Sequence, residues 1–260
     1  MGKVATQRPT DMRLLGIPVN NAGPGEVNQF IEQVIREDEK GIALHLNIHA
    51  FTLAMRHRWL HELICNSHLN FCDGDGVRWG LRMMGHRPPA KTGYTRFIWE
   101  LAEFCALKGY SLYLLGGRAG IAEETGRRLT ERFPRLKVAG THHGEFEKTG
   151  PQNAAVVDEI NATKPDLLLV CFGMPLQEEW IGRNWDCLDA NVFLQGGGVL
   201  DYVAGNVQAP PRWMVRANLE WLARIIAEPR RLAGRYAYDI PVFFSRVFFE
   251  RVRQIVPRRE

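Results

Sequence analysis

Ser111-Leu112-Tyr113-Leu114-Leu115-Gly116-Gly117 is the stretch on which the fold turns. Residues 111–115 read as a short apolar strand, Gly116-Gly117 as the turn after it, and residues 119–133 as a helix. The same rhythm continues downstream. Residues 136–139 read as a strand, 140–144 as a Gly-bounded loop, 151–163 as a helix and 166–172 as a second apolar strand. A helix over 176–184 and a strand over 191–194 then lead into Gly196-Gly197-Gly198. Upstream, residues 41–47 form a strand ending in Asn47, 50–65 a helix, and 77–84 a helix after an Asp-Gly turn. Strands alternating with helices at this spacing predict an α/β fold, a mostly parallel Rossmann-like sheet with helices on both faces. Glycines at the strand ends place a ligand along the C-terminal edge of that sheet.

The chain has 260 residues, 45% of them apolar and 24% charged, as in an ordinary globular protein with a sizeable core. Its net charge of +4 is concentrated at one end. Residues 212–260 carry eleven arginines, no lysine and five acidic groups. Domain boundaries are therefore set at 1–205 for a catalytic α/β domain and 206–260 for a helical, Arg- and aromatic-rich appendage. Within it, 212–227 has helical spacing stopped at Glu228-Pro229, and 241–256 mixes Phe243, Phe244, Phe248 with Arg246, Arg251 and Arg253. Such a helix lies on an anionic membrane or docks on the core, and periodicity does not separate the two. No apolar run approaches the roughly 18–20 residues that cross a bilayer, and the polar first 13 residues lack a signal-peptide core. Cys65, Cys72, Cys105, Cys171 and Cys187 form no CxxC pair and are expected as reduced core thiols in a cytosolic protein.

Chemistry concentrates in Asn70-Phe71-Cys72-Asp73-Gly74-Asp75-Gly76-Val77. Asp73 and Asp75 form either an Asp-x-Asp pair holding a divalent cation, a general base with an incidental neighbour, or a plain Asp/Gly turn. Gly116-Gly117 offers backbone N–H groups to a diphosphate but lacks the full GxGxxG spacing, so a nicotinamide-dependent oxidoreductase is only an alternative. His142 and His143 lie in a glycine-bounded loop with no carboxylate or cysteine to complete a metal set, and His57/His61 lack the HExxH order. In Phe172-Gly173-Met174-Pro175-Leu176-Gln177-Glu178-Glu179-Trp180, Gly and Pro shape a turn and Gln177 can reach a sugar or base; alternatively, the acids only complement a helix dipole.

Several blocks, taken in order, resemble the WecG/TagA/CpsF family, glycosyltransferase family 26. They are Asp73-Gly74-x-Gly76-Val77, Leu114-Leu115-Gly116-Gly117, Gly140-Thr141-His142-His143-Gly144 and Gly173-x-Pro175-x-Gln177-Glu178-x-Trp180. Further on come Gly197-Gly198 with Asp201 and Ala204-Gly205, Ala209-Pro210, Leu219-Glu220-Trp221-Leu222-x-Arg224, and Glu228-Pro229-x-Arg231. The resemblance spans about residues 13–238.

That resemblance implies an inverting transferase that moves a sugar from a UDP-sugar to a polyprenyl-diphosphate-linked saccharide at the inner face of the cytoplasmic membrane. The products are lipid-linked precursors of teichoic acid, common antigen or exopolysaccharide. By position, Asp73 is the implied general base, with Asn47 and Gln177 lining its pocket. Gly116, Gly117, His142, His143, Gly173, Pro175 and Glu178 are carried over as substrate-binding positions. Arg224 and Arg231 would close over the site and neutralise diphosphate charge, in keeping with the bidentate reach of arginine. The family implies no metal cofactor, although a cation at Asp73/Asp75 stays open. No nucleic-acid partner is expected, and a homo-oligomer is left open. The chain departs from the family pattern at Asp75, at His45 and in Gly93-Tyr94-Thr95, where the usual acid is missing. A catalytically inert adaptor recruited to membranes by its Arg/Phe tail is the remaining alternative.

Overall fold

The computed structural model describes residues 3–5, 12–208, 213–214 and 220–255. Within them, apolar strands stack into one parallel sheet. β1 (Lys3–Val4) runs beside the start of β4 (Glu39–Leu46), whose end pairs with β5 (Leu69–Cys72). On the other side of β4 lie β9 (Val192–Gln195), β8 (Leu167–Cys171), β6 (Ser111–Gly116) and β7 (Lys137–His142), in that order. A separate two-stranded hairpin joins β2 (Met12–Leu14) to β3 (Ile17–Val19). Registers such as Leu114↔Leu169 and Leu168↔Phe193 put apolar residues side by side across the middle of the sheet. Central strands covered on both faces read as unbroken apolar runs, which is why they are legible in the sequence.

Alternate residues of each strand feed two cores. Leu112, Leu114, Leu167, Leu169 and Leu194 point to one face. There they meet α1 (Pro24–Arg36), α5 (Tyr94–Lys108), α6 (Ile121–Arg132) and α9 (Val199–Ala204). Tyr113, Leu115, Leu168, Val170 and Phe193 point to the other. That face is covered by α2 (Ile48–Arg56), α3 (Arg58–Asn66), α4 (Asp75–Met83), α7 (Gly150–Thr163) and α8 (Leu176–Asn184). The helix expected over 50–65 is two helices, because His57 takes an extended backbone between α2 and α3. Of the five cysteines, Cys72, Cys105 and Cys171 are buried thiols, Cys65 is half-buried, and Cys187 is exposed rather than in the core.

The chain closes with α10 (Glu220–Ala227) and α11 (Pro229–Ile255), a continuous helix with Pro241 inside it. The choice between docking and exposure is resolved by phase. Phe243 and Val247 are fully buried. Phe243 packs edge-on against Phe51 at 5.4 Å, over Gly80, where a Cβ would come within 2.9 Å of its ring. Glu250 accepts a hydrogen bond from the Leu15 backbone at 3.0 Å. On the opposite side Phe248, Phe249 and Ile255 stand exposed among the exposed Arg246 and Arg253. One helix therefore carries both a docked face and a basic-apolar ridge. Among the described residues no helix is long and apolar enough to cross a membrane.

Candidate active site

Asp73 follows the last residue of β5, and its backbone N–H donates to the Leu46 carbonyl at 2.9 Å. That bond ties the β5 end to the β4 end, where Asn47 caps α2 by accepting from Ala50 N–H at 3.0 Å. Gly74 comes next with φ +88, a backbone that favours glycine, and starts α4. The carboxylate of Asp73 is thus held at the mouth of the sheet with 12% of its side chain exposed, and His45 Nε2 lies 3.9 Å away. His45 is itself fixed, since its Nδ1 bonds the Gln195 carbonyl at 3.0 Å and Gln195 Nε2 donates back to the His45 carbonyl at 3.0 Å.

Asp75 has different surroundings. Its two oxygens take Arg78 Nη1 at 2.7 Å and Lys91 Nζ at 3.0 Å. It fastens the 84–93 loop onto α4, and its role in this structure is an anchoring one. Among the described residues no three His, Cys, Asp or Glu side chains gather into a metal-holding group.

Two cavities meet at Asp73. The larger, about 730 Å³, runs along the C-terminal ends of β4, β6, β8 and β9 and is floored by Gly117, Gly173 and Gly196 to Gly198. The smaller, about 360 Å³, is walled by Trp79, Trp221, Tyr236, Ile240 and Phe244. Asn47, His49, Asp73, Tyr94, Thr95 and Arg235 border both. The strand-end placement is where an open α/β sheet binds its ligands.

The glycine floor is held from beneath by Gln177. This residue is fully buried. Its Oε1 accepts from Gly173 N–H at 3.1 Å and from Gly197 N–H at 3.0 Å. Its Nε2 donates to Gln195 Oε1 at 2.6 Å and to Glu178 Oε1 at 2.8 Å. All of its hydrogen bonds run into the protein, so it shapes the floor by positioning two loops. Gly116 makes the same floor close-packed. Its φ is +143, and a Cβ there would strike the Cys171 carbonyl.

Of the other positions singled out in the sequence, Asn47, Gly117, Gly173 and Gln177 border the larger cavity together with Asp73. Gly116, Pro175, Glu178, His142 and His143 line neither cavity. His142 Nδ1 bonds the His143 carbonyl at 2.7 Å and its ring packs edge-on against Phe146. The loop they belong to is pinned to the floor where Gly144 N–H donates to the Gly117 carbonyl at 2.6 Å. Arg224 lies in α10 and Arg231 in α11, with their side chains outside the described residues. Sequence reasoning missed His49, Arg235 and Trp79. His49 and Trp79 lie on α2 and α4 beside Asn47 and the Asp-Gly turn without a motif of their own, and Arg235 comes from α11, far along the chain.

The model of the glycosyl transferase WecG/TagA/CpsF family matches residues 12–256. The chain belongs to the WecG/TagA/CpsF family. Among curated proteins it is 26% identical over 217 residues to the N-acetylglucosaminyldiphosphoundecaprenol N-acetyl-beta-D-mannosaminyltransferase of Bacillus subtilis, covering 83% of each chain. The Staphylococcus aureus protein of the same name is 28% identical over 198 residues, 75% of this chain and 74% of its own. As a WecG/TagA/CpsF glycosyltransferase, the protein carries its Asp-Gly turn and its glycine floor at one sheet edge.

Glu178 supplies a test of this member's floor. Its Oε2 is buried without a hydrogen-bond partner among the described residues, and burial pushes its carboxyl up to about 7, outweighing the hydrogen bond from Gln177. The raised value makes the protonated form the one that folding favours. The stability it contributes is full below the ordinary carboxylate range and is lost as pH rises toward about 7. Glu178→Gln removes the titration and keeps the acceptor for Gln177. It is expected to raise Tm by several degrees at about pH 8 and to change it little at about pH 5, measured by calorimetry.

Proposed function

We propose that the protein is an inverting glycosyltransferase that moves a sugar from a UDP-sugar to a saccharide carried on polyprenyl diphosphate, with Asp73 as general base. The observation that carries this reading is the position of Asp73 at the seam of two unlike cavities. The glycine-floored cavity suits a polar nucleotide-sugar. Walls of Trp79, Trp221 and Tyr236 in the other suit the apolar faces of a sugar and the start of a lipid chain. An acceptor hydroxyl entering from the aromatic side would give its proton to Asp73 as its oxygen attacks the anomeric carbon. The bond to the UDP oxygen breaks on the far side of that carbon, which inverts the configuration. The departing diphosphate gains charge, and Arg118 and Arg235, neither in an ion pair among the described residues, border the cavity it occupies.

The relatives' names make N-acetylglucosaminyldiphosphoundecaprenol the first acceptor to try and an N-acetylmannosamine donor the first donor. The test is a panel of UDP-sugars offered with short-chain lipid-diphosphate-N-acetylglucosamine, with and without EDTA. Transfer of one sugar, unaffected by EDTA and giving the inverted anomer, is expected. No transfer from any UDP-sugar would overturn the reading.

The exposed ridge of α11 supports work at a membrane surface. Phe248 and Phe249 are more than half exposed beside Arg246 and Arg253, the composition of an interfacial helix. Phe248→Ser/Phe249→Ser is expected to weaken binding to anionic vesicles by about tenfold or more with little change in Tm, because both rings lie off the docked face. Unchanged sedimentation with vesicles would remove the ridge from membrane binding.

A further inference from the structure

His49 is held from the far end of the chain. Its Nδ1 donates to Asp239 Oδ2 at 2.7 Å, and Thr52 Oγ1 donates to Asp239 Oδ1 at 2.7 Å. A carboxylate only accepts, so the proton between ring and acid sits on Nδ1. Asp239 is buried, and although burial alone would raise its carboxyl, the hydrogen bonds from His49 and Thr52 hold it below its usual range as an anion. The imidazole is therefore fixed in tautomer and direction. Its Nε2 has no hydrogen-bond partner among the described residues. The ring nevertheless borders both cavities, with 20% of the side chain exposed.

Arg235 stands one helical turn before Asp239 on α11 and borders the same two cavities. Arg235 lends Asp239 a weaker, through-space attraction and lies against the Tyr236 ring, while the hydrogen bonds to Asp239 come from His49 and Thr52; Arg235 and the free ring nitrogen of His49 therefore border the seam together. We propose that His49, tethered by Asp239, forms with Arg235 a two-point clasp for a substrate diphosphate at that seam. In the clasp Nδ1–H stays on Asp239 and Nε2, taking a proton from solvent as the diphosphate binds, donates it to a phosphate oxygen in a charge-assisted bond. Asp239 is the positioning residue, so the clasp is complete only with α11 docked. This inference rests on the glycosyltransfer reading, in which both substrates carry a diphosphate.

The experiment compares full-length wild type, His49→Asn and His49→Gln by calorimetric titration with UDP and, separately, with farnesyl diphosphate, alongside Tm. An Asn amide nitrogen falls near the place of Nδ1 and keeps the tether to Asp239. A Gln amide nitrogen falls near Nε2 and keeps the donor to the seam. Thus His49→Asn is expected to have the higher Tm of the two variants yet the weaker diphosphate affinity, about tenfold below wild type. Loss with UDP alone assigns the clasp to the donor, loss with farnesyl diphosphate alone assigns it to the acceptor, and loss with both assigns it to the seam they share. Affinities that follow the Tm order, or that match wild type in both titrations, overturn the clasp. A wild-type protein that binds neither diphosphate sinks the glycosyltransfer reading together with it.

Discussion

Asp73→Asn is expected to lower the rate of sugar transfer by roughly 10²–10⁴-fold, the usual contribution of a positioned general base, while leaving UDP affinity within about twofold. The asymmetry follows from the geometry. The Asp73 backbone, not its carboxylate, ties β5 to β4, and His45 Nε2 lies 3.9 Å from the carboxylate. An amide of the same shape therefore keeps the turn and loses only the ability to take a proton. Single-turnover measurement with saturating donor separates the chemical step from binding. A variant that transfers at the wild-type rate would end the assignment. Asp75→Asn is the control, since its charge serves Arg78 and Lys91. It is expected to cost stability and to leave the chemical step within about tenfold, a surrounding-structure effect rather than loss of a base.

Gln177→Leu is expected to give the largest loss of stability, on the order of 3–5 kcal/mol, with donor affinity falling alongside it. One buried amide serves four partners. Replacing it with an apolar side chain of similar size orphans the N–H groups of Gly173 and Gly197 and one oxygen each on Gln195 and Glu178. Each buried orphan costs about 1–3 kcal/mol, reduced where the loops relax toward water. For a chain of this size that corresponds to a Tm lower by roughly 10 °C or more. Relaxation of the two glycine loops deforms the floor of the larger cavity, so UDP binding is expected to weaken by more than tenfold at a temperature where the variant is folded. Gln177→Glu keeps the acceptor for both N–H groups and should bind UDP better than Gln177→Leu. If Gln177→Leu binds UDP normally, the floor does not depend on this residue.

Legibility in the sequence follows burial and locality. The strands at 111–116, 167–171 and 192–195 could be read because each is covered on both faces and is followed within two residues by glycine. The hairpin of β2 and β3 could not, since strands of three residues leave no period; α1 and α5 lie outside the elements read above, although Val27, Phe30, Ile31 and Val34 of α1 recur at helical spacing. The split at His57 is a backbone choice between two helices that apolar spacing alone runs together. Asp73 stood out through its glycine turn, but its distinction from Asp75 needed the resemblance; in the structure Asp75 differs by its ion pairs with Arg78, one turn along α4, and with Lys91, sixteen residues away. Gln177 was visible as a polar residue at a strand end. That its bonds run inward was not.

The sequence by itself determined the α/β class, the family and the sheet edge where the candidate site is placed, because these rest on local periodicity, ordered motifs and strand-end glycines. Tertiary structure alone decided that α11 docks by Phe243 and Val247 while presenting Phe248 and Phe249 outward. It also brought Asp239 and Arg235 to His49 and Asp73. The reason is physical: on a helix with phenylalanines on two faces, periodicity does not say which face docks, and contacts between residues 190 positions apart are fixed by packing that no local pattern records.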